Sequence, residues 1–161
     1  MTIRVSPRGT RGARVPSGGP LLGLFKLLTR FSINSYRRKG GAGISKRMGF
    51  PVVLLTTRGA KTGRLRTTPV GGFKDGEASW FVVASLAGAP RHPAWFINLA
   101  KNPDDVWLEI DKERFKVRAE TLEGAERTEA LDRIAAISAR YGDYQRKTDR
   151  EIPIIRITRQ A

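Results

Sequence analysis

The sequence predicts a mainly β chain with helices, its strands curled into an antiparallel barrel or sheet. Three observations carry that prediction. Six short runs rich in β-branched and aromatic residues recur between residues 50 and 158. Most are joined by brief turn sequences, such as Lys74-Asp75-Gly76-Glu77 and Asp111-Lys112-Glu113. Strands and helices do not alternate regularly, so a βαβ architecture is disfavoured. At 161 residues the chain can bury one core and is short for two.

Residues 1–19 are rich in Arg, Gly, Pro and Ser with nothing periodic to bury, and read as a disordered basic tail. Pro20 opens an amphipathic helix over residues 20–40. Leu21, Leu24, Phe25, Leu28 and Phe31 line one face of it, Lys26, Arg30, Arg37, Arg38 and Lys39 lie on or beyond the other, and Gly40-Gly41 closes it. The remainder, 41–161, forms the β domain. Its strands are expected at Phe50–Thr57, Leu65–Phe73, Ser79–Leu86, Val106–Ile110, Phe115–Thr121 and Ile152–Thr158. Two helices interrupt them. Pro93–Lys101 carries Trp95, Phe96 and Leu99 and stops before Asn102-Pro103. The other runs from about Glu123 to Tyr141, with acids at its start, Arg133 and Arg140 towards its end, and a stripe of Ala130, Ile134, Ile137 and Tyr141.

Composition excludes several chemistries. Cysteine is absent and His92 is the only histidine, so thiolate metal sites, a cysteine nucleophile and a zinc site built on imidazoles are ruled out. No apolar run approaches the roughly 18 residues of a membrane span, which makes a cytoplasmic protein the expectation. Charge is unevenly placed: residues 1–74 hold 16 Lys+Arg and no acid, whereas 75–161 hold 14 Lys+Arg and 15 Asp+Glu.

Within the basic half lies LLTTRGAKTGRLRTTP, residues 54–69, where Arg58, Lys61, Arg64 and Arg66 alternate with Gly59 and Gly63 behind an apolar strand. Such a turn can converge amides and cations on an anion. A P-loop fails, because the motif needs glycine at positions held by Ala60 and Leu55. A nucleic-acid surface is supported by charge alone and lacks a recognition motif. A solvated hairpin tip and a cofactor phosphate or carboxylate site remain.

The succession LLTTRGAKTGRLRTTPV, FVVASLAGAPRHPAWFINL, NPDDVWLEI and RYGDYQRKTDREIPIIRI resembles the deazaflavin (F420)-dependent nitroreductase family over residues 48–158. The resemblance implies a split β-barrel of FMN-binding-like type, with reduced coenzyme F420 as hydride donor. The acceptor would be a quinone, nitroaromatic or other electron-poor small molecule. A split barrel using FMN, or a basic nucleic-acid or membrane-surface module, are the alternatives. By that likeness Ala60, Lys61, Thr62 and Arg66 mark the cofactor's phosphate and acidic tail, and Thr67, Thr68, Pro69, Val70 and Gly71 continue along it. Val83, Ala84, Ser85 and Leu86 would lie along the deazaflavin ring, with Ser85 near the reacting carbon. Ala94, Trp95, Phe96, Ile97 and Asn98 would close another side, and Tyr141 and Tyr144 would cover the ring and shape the substrate pocket.

Ordinary structural roles compete at several of these positions. Ser85 could cap a strand end, Trp95 could be a core aromatic, and Asn98 requires a buried partner. Tyr141 could be core packing, or a phenol donating to a developing oxyanion. His92 reads as a capping or surface group rather than a proton donor. The family often has a further Arg where this chain has Ala60, so one phosphate contact would be lost or supplied instead by Arg58 or Arg64. An aromatic seen in some members falls on Gly71, and a further tyrosine falls on Ser138, changes that would open the acceptor pocket. The basic helix could cap the barrel, or lie on anionic lipid at the inner face of the cell membrane.

Overall fold

The computed structural model describes residues 3–161. Its six strands are β1 (Val52–Arg58), β2 (Leu65–Lys74), β3 (Ser79–Val83), β4 (Val106–Ile110), β5 (Glu113–Thr121) and β6 (Ile154–Arg159). They close into a barrel in the order β1-β2-β3-β6-β5-β4, with every neighbouring pair antiparallel. Both expected hairpin turns form, and Asp111 at the second adopts φ 56°.

Five helices surround the strands: α1 (Gly19–Lys39), α2 (Ala42–Met48), α3 (Ala94–Lys101), α4 (Gly124–Ile137) and α5 (Arg140–Lys147). The sequence reading differs in three places. Helix α2 was not expected, since its short run sits between Gly41 and Gly49 and buries none of its residues. The single helix expected over 123–141 is two, because Ser138 takes an extended conformation and the chain restarts at Arg140. Strand β3 stops at Val83, three residues early, where the backbone leaves the ladder.

Two cores explain why β1 reads as an unbroken apolar run: both of its faces are buried. One face sends Val53 and Leu55 into the barrel with Val82, Val106, Leu108, Val117, Ile155 and Ile157, and α3 plugs the end with Trp95, Phe96 and Leu99. The other face sends Val52 and Leu54 outward beneath the helices, where they meet Phe73, Phe81, Ile154, Ile134 and Tyr141. Burying each such side chain contributes about 1.5–3 kcal/mol.

Helix α1 is anchored only near its end. Ile33 and Tyr36 are buried, and Arg37 grips the Glu109 carboxylate through Nε at 2.9 Å and Nη2 at 2.7 Å. Further up, Leu21, Leu24, Phe25, Leu28 and Phe31 are all more than half exposed, so the apolar stripe does not cap the barrel. Among the described residues no helix is long and apolar enough to cross a membrane.

Of the segment expected to be a disordered tail, residues 1 and 2 lie outside the described residues, and the part from residue 3 to residue 18 follows a defined path. Its extended strap lies across residues 84–92 and 146–151. Asp149 receives the Thr10 amide at 2.8 Å and the Thr10 hydroxyl at 2.5 Å, and Gly9 and Ala13 donate their amides to Pro90 and Gly88. Glycine and small polar residues lack apolar bulk but satisfy backbone hydrogen bonds, a source of order that composition does not register.

Candidate cofactor cleft

The β1–β2 turn is built from its own cation outward. Arg58 donates to the Gly63 carbonyl at 2.7 Å and pairs with Asp105 at 2.6 Å, while Gly63 supplies the left-handed φ of 69° that brings the chain back. Asn98 on α3 accepts the Ala60 amide at 2.9 Å, and Asn102 donates to the Arg58 carbonyl. Arg58 is therefore committed to the turn and does not replace the cation missing at Ala60. Lys61, Arg64 and Arg66 are exposed and have no ion-pair partner among the described residues. Thr62 is also exposed, and its hydroxyl accepts the Arg64 amide.

From this cationic end β2 runs with one edge open. It pairs with β1 over its whole length from Leu65 to Gly71, yet with β3 only at Gly72, Phe73 and Lys74. The open edge from Leu65 to Gly71 spans about 20 Å. It carries Thr67, Thr68, Pro69 and Val70, all half-buried and uncharged, and ends at buried Gly71. Register places Thr67, Pro69 and Gly71 on the outer face with Leu54 and Val52. Thr67 meets the Thr56 hydroxyl at 2.8 Å. Thr57, opposite Arg66, has the one buried side-chain polar atom without a partner among the described residues.

The far end is formed by the chain leaving β3. Val83 and Ala84 are buried, Ser85 and Leu86 half-buried, and a left-handed turn follows with φ of 42°, 54° and 79° at Leu86, Ala87 and Gly88. Helix α5 packs on this turn so closely that a Cβ at Gly88 would lie 2.7 Å from the Tyr144 carbonyl. The Ser85 hydroxyl makes no capping bond, so the strand-end cap does not form and that oxygen keeps its hydrogen-bonding capacity.

Tyr141 stands edge-on to Phe50, Phe73 and Tyr144, with ring centroids 5.5, 5.2 and 5.5 Å away. Burial pushes its phenol pKa up, with Tyr144 adding to the effect, so Tyr141 stays protonated near neutrality and is a donor rather than a base. A Cβ at Gly71 would come within 2.4 Å of the Tyr141 hydroxyl oxygen. The absent side chain thus does not open a pocket there, because Tyr141 occupies the space. Ser138 is likewise buried.

Helix α3 contributes less directly than its sequence suggests. Trp95 and Phe96 belong to the plug of the barrel, Ala94 and Ile97 face outward, and Asn98 is engaged with the turn. Half-buried His92 is neither a cap nor a surface group. Its Nε2 lies 2.7 Å from the Ser6 carbonyl and its Nδ1 lies 3.0 Å from the Arg150 guanidinium. A carbonyl only accepts and a guanidinium only donates, so Nε2 carries the proton and the ring is neutral. Arg150, whose side chain is fully buried, was not singled out from the sequence; flanked by Asp149 and Glu151, it reads as part of a charged loop.

Cavities of about 270 and 260 Å³ lie elsewhere, one beside Tyr36, Lys74 and Trp80 and the other between Phe81 and Ile134. Neither adjoins the unpaired cations. Cations at one end of an open strand edge, with aromatic rings and a hydroxyl at the other, fit a long ligand with an anionic tail and a flat head.

The chain is thus a split β-barrel, one strand edge left open between unpaired cations and an aromatic end. The family model described as F420H(2)-dependent quinone reductase matches residues 28–159, and the chain belongs to that family. An F420H(2)-dependent quinone reductase of Mycobacterium tuberculosis is 39% identical over 115 residues, covering 68% of this chain and 74% of the relative. A second, putative reductase from the same organism is 34% identical over 115 residues, 71% of this chain and 93% of its own. Among solved structures, the F420-H2 dependent reductase FDR-A superposes with a TM-score of 0.60 at 35% identity, over 66% of this chain and 93% of its own. The chain is thus an oxidoreductase, and its cofactor is coenzyme F420.

Proposed function

We propose that the chain passes a hydride from reduced F420, bound along the open edge of β2, to a quinone or another electron-poor acceptor such as a nitroaromatic. The observation that carries this reading is the open strand edge itself, which leads from unpaired cations to a hydroxyl-bearing, aromatic end. Lys61 and Arg66 would hold the phosphate and acidic tail, Arg as a bidentate clamp and Lys as a mobile charge. Arg64, alongside them, replaces the cation missing at Ala60. Thr62, Thr67 and Thr68 offer hydroxyls and Pro69 and Val70 apolar surface. Val83, Ala84, Ser85 and Leu86 support the head.

Reduced F420 supplies the hydride when bound. The chain's own task is to align the partners, exclude water and protonate the acceptor oxygen. Ser85 and Tyr141 are the hydroxyls at the head end, and the raised pKa of Tyr141 keeps its phenol protonated, a hydrogen-bond donor to negative charge developing on the acceptor oxygen. Tyr144, beside Tyr141, would border the acceptor. No nucleophile or metal is required. Fluorescence titration of the purified chain with reduced and oxidised F420 and with FMN tests the reading. F420 binding with much weaker FMN binding is expected, and preference for FMN would overturn it.

The exposed stripe of α1 favours an acceptor taken from a lipid surface. Lys26, Arg30, Arg38 and Lys39 lie on a helix without a single acid, which suits anionic headgroups beside an immersed apolar face. Sedimentation with vesicles containing anionic lipid should lose the protein when Leu24, Phe25 and Leu28 are changed to Ser. Unchanged sedimentation removes the helix from membrane binding.

A further inference from the structure

Beyond Val83 the chain does something costly. Leu86 and Ala87 both adopt left-handed conformations, at φ 42° and 54°. A non-glycine residue is strained there, because its Cβ crowds the neighbouring carbonyl oxygen. Such a turn persists only where its surroundings over-determine it.

One side chain supplies most of that determination. Arg150, 1% exposed, donates from Nε to the Ala89 carbonyl at 3.0 Å, from Nη1 to Ala84 at 3.1 Å and from Nη2 to Ser85 at 2.9 Å. These carbonyls lie immediately before and after the left-handed residues, so the planar fork clamps both ends of the turn. Nη1 also reaches His92 Nδ1 at 3.0 Å. Among the described residues no carboxylate pairs with this guanidinium. Burial lowers its pKa to about 10, which leaves it charged at neutral pH. A buried cation compensated only by dipoles is expensive, and a core strut of the same volume could be apolar.

We infer that Arg150 is a positioning residue for hydride transfer: by clamping the carbonyls of Ala84, Ser85 and Ala89 it fixes the left-handed turn, and with it the aim of Ser85 at the cofactor head. The inference rests on the reading of Val83–Leu86 as the wall beside the ring. A second layer holds the clamp from outside. His92 ties it to the Ser6 carbonyl, and the strap meets the same loop through Gly9 to Pro90 and Ala13 to Gly88. These strap residues precede the family match, which begins at residue 28.

Full-length Arg150→Lys keeps the charge but loses the fork. Its thermal midpoint, its affinity for oxidised F420 by fluorescence, and kcat and KM with reduced F420 and a soluble quinone should be measured. Affinity and KM should stay within threefold of the native values, because Lys61 and Arg66 are untouched, while kcat falls ten- to a hundredfold. Ala87→Gly removes strain at an exposed position, so it should restore kcat at least fivefold in the Arg150→Lys background and change the native chain less than twofold. An unchanged kcat, or a loss that Ala87→Gly does not relieve, overturns the inference. So does a variant that fails to fold with or without Ala87→Gly, which would make Arg150 a strut of the fold. If the native chain itself fails to bind F420, the underlying reading fails instead, which separates the two.

Discussion

Gly71 and Tyr141 should behave as one unit. An Ala Cβ at position 71 would meet the Tyr141 hydroxyl oxygen at 2.4 Å, Phe73 Cε2 at 3.1 Å and Phe50 Cδ2 at 3.3 Å. The first distance is well inside contact, and Tyr141 cannot retreat easily because Phe50, Phe73 and Tyr144 hem its ring. Overpacking of this kind costs about 1–3 kcal/mol, and about 2–4 °C in midpoint accompanies each kcal/mol in a chain of this size. Tyr141→Phe removes the offending oxygen and leaves only the two milder contacts. Gly71→Ala should therefore cost at least about 1 kcal/mol less in the Phe background, a coupling that a double-mutant cycle resolves. Urea unfolding of the four proteins supplies the measurement. Strict additivity would refute the placement of the Tyr141 hydroxyl against Gly71, and with it the argument that Tyr141 fills the space beside that glycine.

Two further outcomes concern the loops around the cleft. His92 has its pKa lowered by burial, with Arg150 acting in the same direction and the Ser6 carbonyl opposing. A depressed folded pKa means that its contribution is complete above the unfolded value of about 6.5 and is lost as pH falls below it. The groups facing the ring are the Arg150 guanidinium, the Ser6 carbonyl and the Phe96 ring. Asp149 is held down to about 2, chiefly by the Thr10 hydroxyl and then by the Arg11 and Thr10 amides, so it stays ionised throughout that window. Proteolysis within the strap should accelerate between pH 7.5 and 5.5 in the native chain, and His92→Gln should abolish that pH dependence. At the other end of the cleft, Asn98→Ala leaves the Ala60 amide without its acceptor; this should cost about 1 kcal/mol of stability and weaken F420 binding several-fold, read by thermal unfolding and fluorescence.

The barrel was legible because its strands are short runs rich in β-branched and aromatic residues between turn residues, and because burial on both faces makes β1 continuously apolar. The cationic turn was legible from glycine and charge. Division of labour within it was not: Arg58 and Arg66 look alike in sequence, and only the position of Asp105 and the Gly63 carbonyl commits the first to structure. Asn98 and Trp95 were placed at the cleft by likeness, yet their partners are the Ala60 amide and the barrel core, contacts set by how α3 docks. The strap and the Arg150 clamp were hidden for a different reason. Both work through backbone hydrogen bonds between segments more than 60 residues apart, and such bonds leave no periodicity in composition.

The most direct test of the cleft compares F420 affinity in Lys61→Ala/Arg66→Ala with that in Arg8→Ala/Arg14→Ala, each removing two exposed cations. Charged hydrogen bonds of about 1.5–3 kcal/mol each, discounted for exposure, predict a loss of roughly 30- to 1000-fold for the first pair. Less than threefold is expected for the second, with the unfolding midpoint unchanged in the first because neither of its cations has an ion-pair partner among the described residues. Equal losses in the two variants would contradict the account, making F420 binding a response to overall charge instead of to a cleft that begins at Lys61 and Arg66.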